Sequence, residues 1–263
     1  MKGGSYMPNW INKFVPINKY IRPGTQLRGI KKIVIHWTAN PGGTAAGHVL
    51  YFSEVLPKLN NEVIAQGRKP IYASAHIFVD PKEAICIIPL NEVAFHANEN
   101  YTYVDGKPYR GVEVLKPNAN LLSIAVEMCV EKNNTLSPQT INRAVVTVKD
   151  LCEMFKLTQN DIVRHFDITR KPCPYPFVKE PELFTKFKRD VGAQLKIKQQ
   201  YPGYVLKNGS QGNNVKLIQQ RLGITPDGHF GQVTVNSVKN FQKNHGLTPD
   251  GIVGESTWKM MFK

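Results

Sequence analysis

Apolar and polar positions fall into short blocks whose spacing predicts alternating strands and helices. Residues 31–38 (KKIVIHWT) are a β-branched apolar run ending in His36 and Thr38, which predicts a buried strand. Asn40-Pro41-Gly42-Gly43 breaks the chain, and Thr44 is placed to cap a helix over 45–56. Residues 73–79 (ASAHIFV) and 84–89 (AICIIP) predict a hairpin through the turn at 80–83, and 122–130 (LSIAVEMCV) predict another strand. Ser137-Pro138 reads as a cap followed by proline in the first helical turn. Ile141, Ala144, Val145, Val148, Leu151, Cys152 and Phe155 then recur with helical spacing, so a helix is expected over 138–156. Residues 161–164 read as extended and run into His165; 180–199 predict a last charged helix. Strands and helices that mix in this way predict an α/β domain, a mixed central sheet flanked by helices.

The pattern changes near Gln199-Gln200-Tyr201-Pro202-Gly203, which reads as a linker. Beyond it TPDGHFGQVT (225–234) is echoed by TPDGIVGEST (248–257). In each, proline presets φ and glycine accepts a positive φ, which makes a turn, and a following threonine is placed to cap a helix. Helical apolar spacing precedes both turns, so a small three-helix module is expected. The expected division is 1–198 for the first domain, 199–204 for the linker and 205–263 for the module.

Composition narrows the function classes. The 263 residues include 34 Lys+Arg and 20 Asp+Glu, a formal charge of +14. Such a field favours polyanions, and anionic cell-wall polymers are one such partner; a generally basic solvated surface is the alternative. The basic residues are dispersed, with no Lys/Arg block of five, which argues against a nucleic-acid tail. No apolar run approaches the roughly 18 residues of a membrane span, and the first ten residues lack the apolar core of a signal peptide. Membrane insertion and signal-directed export are therefore not expected. Cys86, Cys129 and Cys152 lie in apolar runs and read as buried thiols rather than as a disulfide framework.

Cys173 differs, because it lies in the polar, proline-bound stretch RKPCPYP, eight residues after His165. Two imidazoles (His36, His165) and a thiolate with a fourth position open would suit a catalytic zinc. Spacing alone leaves open that these are hydrogen-bonded structural histidines. Glu127 lies inside an apolar run, where a carboxylate needs a reason. It is either paired internally, with Arg164 or Lys171, or a general base whose pKa is raised by burial. Lys171 is either a surface lysine or an oxyanion donor.

IVIHWTAN, SAHIFVD, FHAN, SIAVEM and RHFDITRKPCP, in this order, resemble the type-2 N-acetylmuramoyl-L-alanine amidases, in particular the phage endolysin branch, over about residues 28–178. The resemblance implies a zinc amidase fold with His36, His165 and Cys173 as ligands of Zn2+, Glu127 as general base and Lys171 on the oxyanion. It implies hydrolysis of the amide between N-acetylmuramic acid and L-alanine of peptidoglycan, with lysis of the wall. A non-catalytic peptidoglycan-recognition protein of the same fold is the alternative, and the presence of Cys173 weighs against it. His76 is expected to be structural, His96 to contact substrate along the groove, and His48 to be a surface residue. The segments 57–72 and 99–118 are long and are expected to border the groove. Residues 205–262 resemble the type-1 peptidoglycan-binding domain, carried by Gly209-Ser210-Gln211-Gly212 and the two Asp-Gly-x-x-Gly-x-x-Thr repeats. A monomer acting on peptidoglycan at the bacterial wall, made without a signal peptide, is the expectation.

Overall fold

A computed structural model describes residues 8–195 and 201–262. The chain enters through a two-residue strand, β1 (Ile11–Asn12), and then β2 (Lys32–Trp37). Thr44 caps the next helix by accepting from the Gly47 amide at 3.0 Å. That helix runs as α1 (Ala45–Leu50), a π turn at Tyr51–Val55 and α2 (Leu56–Ala65), so it extends well past the expected end at 56 and absorbs half of the long segment 57–72. Hairpin strands β3 (Ile77–Val79) and β4 (Ala84–Cys86) follow, shorter than expected. A small hairpin, β5 (Tyr103–Val104) and β6 (Lys107–Pro108), rises from the long segment 99–118. Next come β7 (Ser123–Met128), α3 (Pro138–Phe155), β8 (Ile162–Arg164), α4 (His165–Thr169), α5 (Tyr175–Lys179) and α6 (Pro181–Leu195). The expected helix over 180–199 is seen as far as Leu195, and 196–200, including the first residues of the expected linker, lie outside the described residues.

The sheet order is β1-β4-β3-β7-β2-β8, parallel throughout except at the β3–β4 hairpin. The central strands read as nearly continuous apolar runs because both faces are covered. One face packs Ile33, Ile35, Ile124, Val126 and Met128 against α3 and α6 with Phe177, Phe184 and Phe187. The other packs Phe78 and Ala125 against Ala45, Phe52 and Leu56 of the first helix. Alternation along the strands therefore sends Val34, His36, Ala125, Glu127 and Phe78 away from α3. The four cysteines are free and buried. Among the described residues no helix is long and apolar enough to cross a membrane.

Helices α7 (Asn213–Arg221), α8 (Gln232–Asn244) and α9 (Glu255–Met261) enclose a separate core around Trp258, Phe230 and Phe241. The echo in the sequence becomes an echo in hydrogen bonds. Gln219 Nε2 donates to Asp227 Oδ1, the His229 carbonyl and Thr234 Oγ1, while Gln219 Oε1 accepts from the Gly228 amide. Gln242 repeats the pattern with Asp250, Ile252, Thr257 and Gly251. Gly228 and Gly251 have φ of +81° and +78°, as the turn requires. The threonines were expected to cap, but Gly231 and Gly254 hold the cap positions. Thr234 and Thr257 sit one turn further in, buried, where their hydroxyls satisfy the glutamine amides.

Candidate metal centre

Parallel pairing brings the chemistry to one edge of the sheet. Phe78, Glu127 and His36 are register partners across β3, β7 and β2. On the other side of β2, Ile35 pairs with Arg164, so His165, the next residue, emerges level with His36. All these positions lie at or just beyond the carboxyl ends of parallel strands, where open α/β sheets place their ligands. His165 opens α4, whose turn is locked by Arg164: its guanidinium holds Asp167 and the Phe177 carbonyl. The Phe166 amide donates to the Cys173 carbonyl at 2.9 Å, which folds the Lys171–Cys173 loop back over the strand ends.

His36, His165 and Cys173, far apart in sequence, thus converge, their donor atoms all within 4.8 Å of one another. Cys173 Sγ is 3.7 Å from His36 Nδ1. A nitrogen and a sulfur bound tetrahedrally to one zinc at ordinary bond lengths sit about 3.6 Å apart, so this spacing suits a shared ion. His165 is 1% exposed and neither of its ring nitrogens has a hydrogen-bond partner. Nε2 does face Glu99 Oε1 at 2.7 Å, but Nδ1 has no partner, and a buried polar atom is rarely left so, which argues for a cation beside it. The donor set of two imidazoles and a thiol fits zinc.

Burial keeps the ring of His36 and the thiol of Cys173 uncharged. Burial, and then the neighbouring His165, His96 and Lys171, hold His36 well below the usual histidine range. Burial pushes the Cys173 thiol up. Glu127 Oε1 is 4.0 Å from His36 Nδ1, and its Oε2 is buried without a partner. Burial raises this carboxyl to about 8, opposed by Lys171. The expected internal partners are not hydrogen-bonded to it: Arg164 pairs with Asp167, and Lys171, half exposed, lies 3.5 Å from Glu99.

Glu99 was not anticipated. Its Oε1 comes within 2.7 Å of His165 Nε2, out of line for a hydrogen bond. Burial raises its pKa, but His165 and Lys171 outweigh that and bring it below the ordinary value. The signal available was its position, three residues after His96 in FHANENY at the start of a long segment. His48 corrects the sequence reading: it is buried, stacked on Phe78 at 4.6 Å between ring centroids, and lines the groove. Its spacing from Ala45 and Phe52 on one helix face was the missed clue. His76 is fully buried, accepts from the Ala125 amide and donates to the Glu92 carbonyl, which fits the structural reading. His96 lines the groove as expected, but both ring nitrogens are engaged inside the protein, by His36 and Ser123.

A cavity of about 1270 Å³ opens over this cluster, lined by Trp37, Tyr51, Tyr72, Tyr101 and Tyr175 as well as Glu127 and Lys171. Tyr51 and Tyr72 come from the helix and segment that precede β3, and Tyr101 from the long segment before β5, so both long segments border the groove as expected.

Comparison with known proteins shows what the chain is similar to. N-acetylmuramoyl-L-alanine amidase BlyA of Bacillus subtilis is 49% identical over 191 residues, 72% of this chain and 48% of that protein. CwlL of Bacillus licheniformis, also named an N-acetylmuramoyl-L-alanine amidase, is 42% identical over 81% of this chain and 58% of its own length. The chain therefore spans about half the length of these relatives. A mutant endolysin from Bacillus subtilis has a solved structure that aligns with a TM-score of 0.52 at 26% identity, covering 71% of this chain and all of that one. Residues 211–261 match the family described as "Putative peptidoglycan binding domain". Residues 26–176, more than half of the chain and the part that holds every residue of the cluster, match the N-acetylmuramoyl-L-alanine amidase family, and the chain belongs to that family.

Proposed function

We propose that this chain is a zinc-dependent endolysin-type amidase, which hydrolyses the amide between the lactyl group of N-acetylmuramic acid and L-alanine of the stem peptide. The observation that carries this is the placement of Glu127 in register with His36, with His165 and Cys173 alongside, at one open edge of the sheet. His36, His165 and Cys173 would hold the zinc. Zinc bound there supplies Lewis acidity, lowering the pKa of water and polarising a carbonyl. Glu127, beside His36 with Oε2 free of any partner, takes the proton of the attacking water as carboxylate and returns it to the leaving amine. Lys171 places its ammonium at the mouth of the same groove and stabilises the developing oxyanion. The aromatic rim receives the glycan and peptide on either side of the scissile amide.

The helical module at residues 205–262 would hold the enzyme on peptidoglycan, and the charge of +14 would concentrate it on an anionic wall. Mass spectrometry of digested walls tests the reading. Free glycan strands and intact stem peptides, lost on chelation and restored by zinc, are expected. New reducing ends would mean a glycosidase, and binding without cleavage by zinc-loaded protein would mean a recognition protein.

A further inference from the structure

The hydrogen bonds behind His36 form a one-way series that can be read from its far end. The Ala119 carbonyl can only accept, and it takes the Ser123 hydroxyl proton at 2.7 Å. Ser123 Oγ, its single proton used, must accept from His96 Nε2 at 3.3 Å. A neutral His96 carries one N–H, so with Nε2 protonated its Nδ1 is a lone pair. That lone pair lies 3.1 Å from His36 Nε2 and accepts from it. The same rule then leaves His36 Nδ1 as a lone pair, and Nδ1 is the atom 3.7 Å from Cys173 Sγ.

We infer that His96 is a positioning residue for metal binding: with Ser123 it fixes His36 as the Nε2–H tautomer, so that the Nδ1 lone pair is presented to the ion. The series is anchored at both ends. Ser123 is fully buried at the start of β7. The amides of His96 and Ala97 both donate to Asn120 Oδ1, which holds the imidazole in place independently of its ring. An isolated imidazole distributes its proton over both nitrogens, and half-right tautomers and free ring rotation both cost affinity. Partners of this kind typically contribute 10–100-fold to metal affinity. The tautomer assignment stands on hydrogen bonds alone; the affinity consequence rests on the zinc reading above.

The test uses the full chain, stripped of metal and 15N-labelled at histidine, at pH 8. Two-bond proton–nitrogen correlation is expected to report His36 as the Nε2–H tautomer. His96→Leu, which removes the acceptor, should convert His36 to a mixture. The same variant should weaken zinc roughly 10–100-fold in competition with a chromophoric chelator. His96→Gln, whose side-chain oxygen can still accept, should recover part of that loss and serves if the leucine variant does not fold. A merely structural His96 would move the melting temperature but not the tautomer. Finding His36 as Nδ1–H in the unaltered chain, or unchanged zinc affinity in a folded His96→Leu, overturns the inference. The tautomer result is read whether or not the chain cleaves peptidoglycan.

Discussion

His36 and Glu127 are register partners on adjacent parallel strands, and Glu127 Oε1 lies 4.0 Å from His36 Nδ1. Two side chains held by one hydrogen-bonded ladder, the proposed ligand and the proposed base, cannot drift apart without breaking the centre of the sheet. This makes Glu127 separable from the metal in function but not in position. Glu127→Gln is therefore expected to keep its zinc while turnover falls by about 10²–10⁴. Metal analysis beside dye release from walls checks it, and loss of zinc together with activity would refute the assigned role.

The same residue has a signature in stability. Its folded pKa, about 8, lies above the ordinary 4.5, so the folded state binds the extra proton. The stabilisation tied to that proton is complete below pH 4.5 and is lost as pH rises through 8. In chelated protein, Glu127→Gln should gain stability relative to the unaltered chain as pH is raised across this window. Parallel pH dependence of the two proteins in chemical denaturation would contradict burial of the carboxyl.

Cys173 is buried and its thiol is raised by that burial, so without a cation it carries its proton at neutral pH. Thiolate, not thiol, is the metal ligand. Zinc loading of the stripped protein is expected to release roughly one proton per ion from this residue. Titration calorimetry in buffers of different ionisation enthalpy measures it. Cys173→Ser should weaken binding and abolish most of the release; undiminished release in that variant would remove Cys173 from the ligand set.

Much of this site was legible because strand chemistry is local. IVIHWT and SIAVEM each announce a buried strand with one polar residue at its end, and parallel pairing does the rest. What was not legible depends on side chains meeting from distant segments. The engagement of both His96 nitrogens needs Ser123 and His36 to arrive from two strands. Glu99 reaches His165 across a long segment with no periodic pattern. The helix runs past residue 56 because the π turn at Tyr51–Val55, where the Leu56 amide reaches back five residues to Tyr51, carries the chain through Pro57. Two-residue β1 is too short to produce an alternation that sequence can display.

His76 tests the structural reading of a histidine in the same way. It is fully buried between the Ala125 amide and the Glu92 carbonyl, and burial lowers its pKa from 6.5 to about 4. The unfolded chain therefore takes up this proton first as pH falls. Stability is full above pH 6.5 and declines through pH 4, by on the order of 3 kcal/mol for this residue alone. His76→Gln, which can keep both hydrogen bonds without titrating, should flatten the curve between these limits. His76→Leu should cost about 1–3 kcal/mol at pH 7 for each backbone group left unpaired. Denaturant midpoints at pH 7 and 4.5 decide; equal slopes in all three proteins would exclude His76 as a titrating element.

Electrostatic concentration on the wall predicts a salt response. Exposed charges are screened over about 8 Å at physiological ionic strength and much further at low salt. Lysis at limiting enzyme should fall as salt is raised from low to physiological strength, while hydrolysis of a soluble muropeptide changes little. Equal salt response on the two substrates would place the effect in the groove rather than on the wall.

The helical module and the α/β domain meet through buried charge, and this contact yields the last expectation. Asp150 of α3 is wholly buried and its Oδ2 accepts from Arg221 Nη1 of α7 at 2.9 Å and from the Asn9 amide at 2.7 Å. Arg221 also donates through Nε to the Met261 carbonyl, so one guanidinium ties α7 to both α3 and α9. Beside it Gly223, with φ of +69°, approaches so closely that a Cβ would lie 2.6 Å from Arg143 Cα. Removing one partner of a buried pair costs up to about 3–5 kcal/mol, less here because Lys149 Nζ stays 3.6 Å from Asp150 Oδ1, whereas removing both is often nearly neutral. Arg221→Met is expected to destabilise and to split thermal unfolding into two transitions, as α7 and its neighbours release from α3. Adding Asp150→Asn should restore much of the loss, although the Asn9 amide then keeps a weaker acceptor. Gly223→Val should also split the transition, through sterics rather than charge. Differential scanning calorimetry reads all three variants, and a single unshifted transition in Arg221→Met would mean that the ion pair does not couple the two cores.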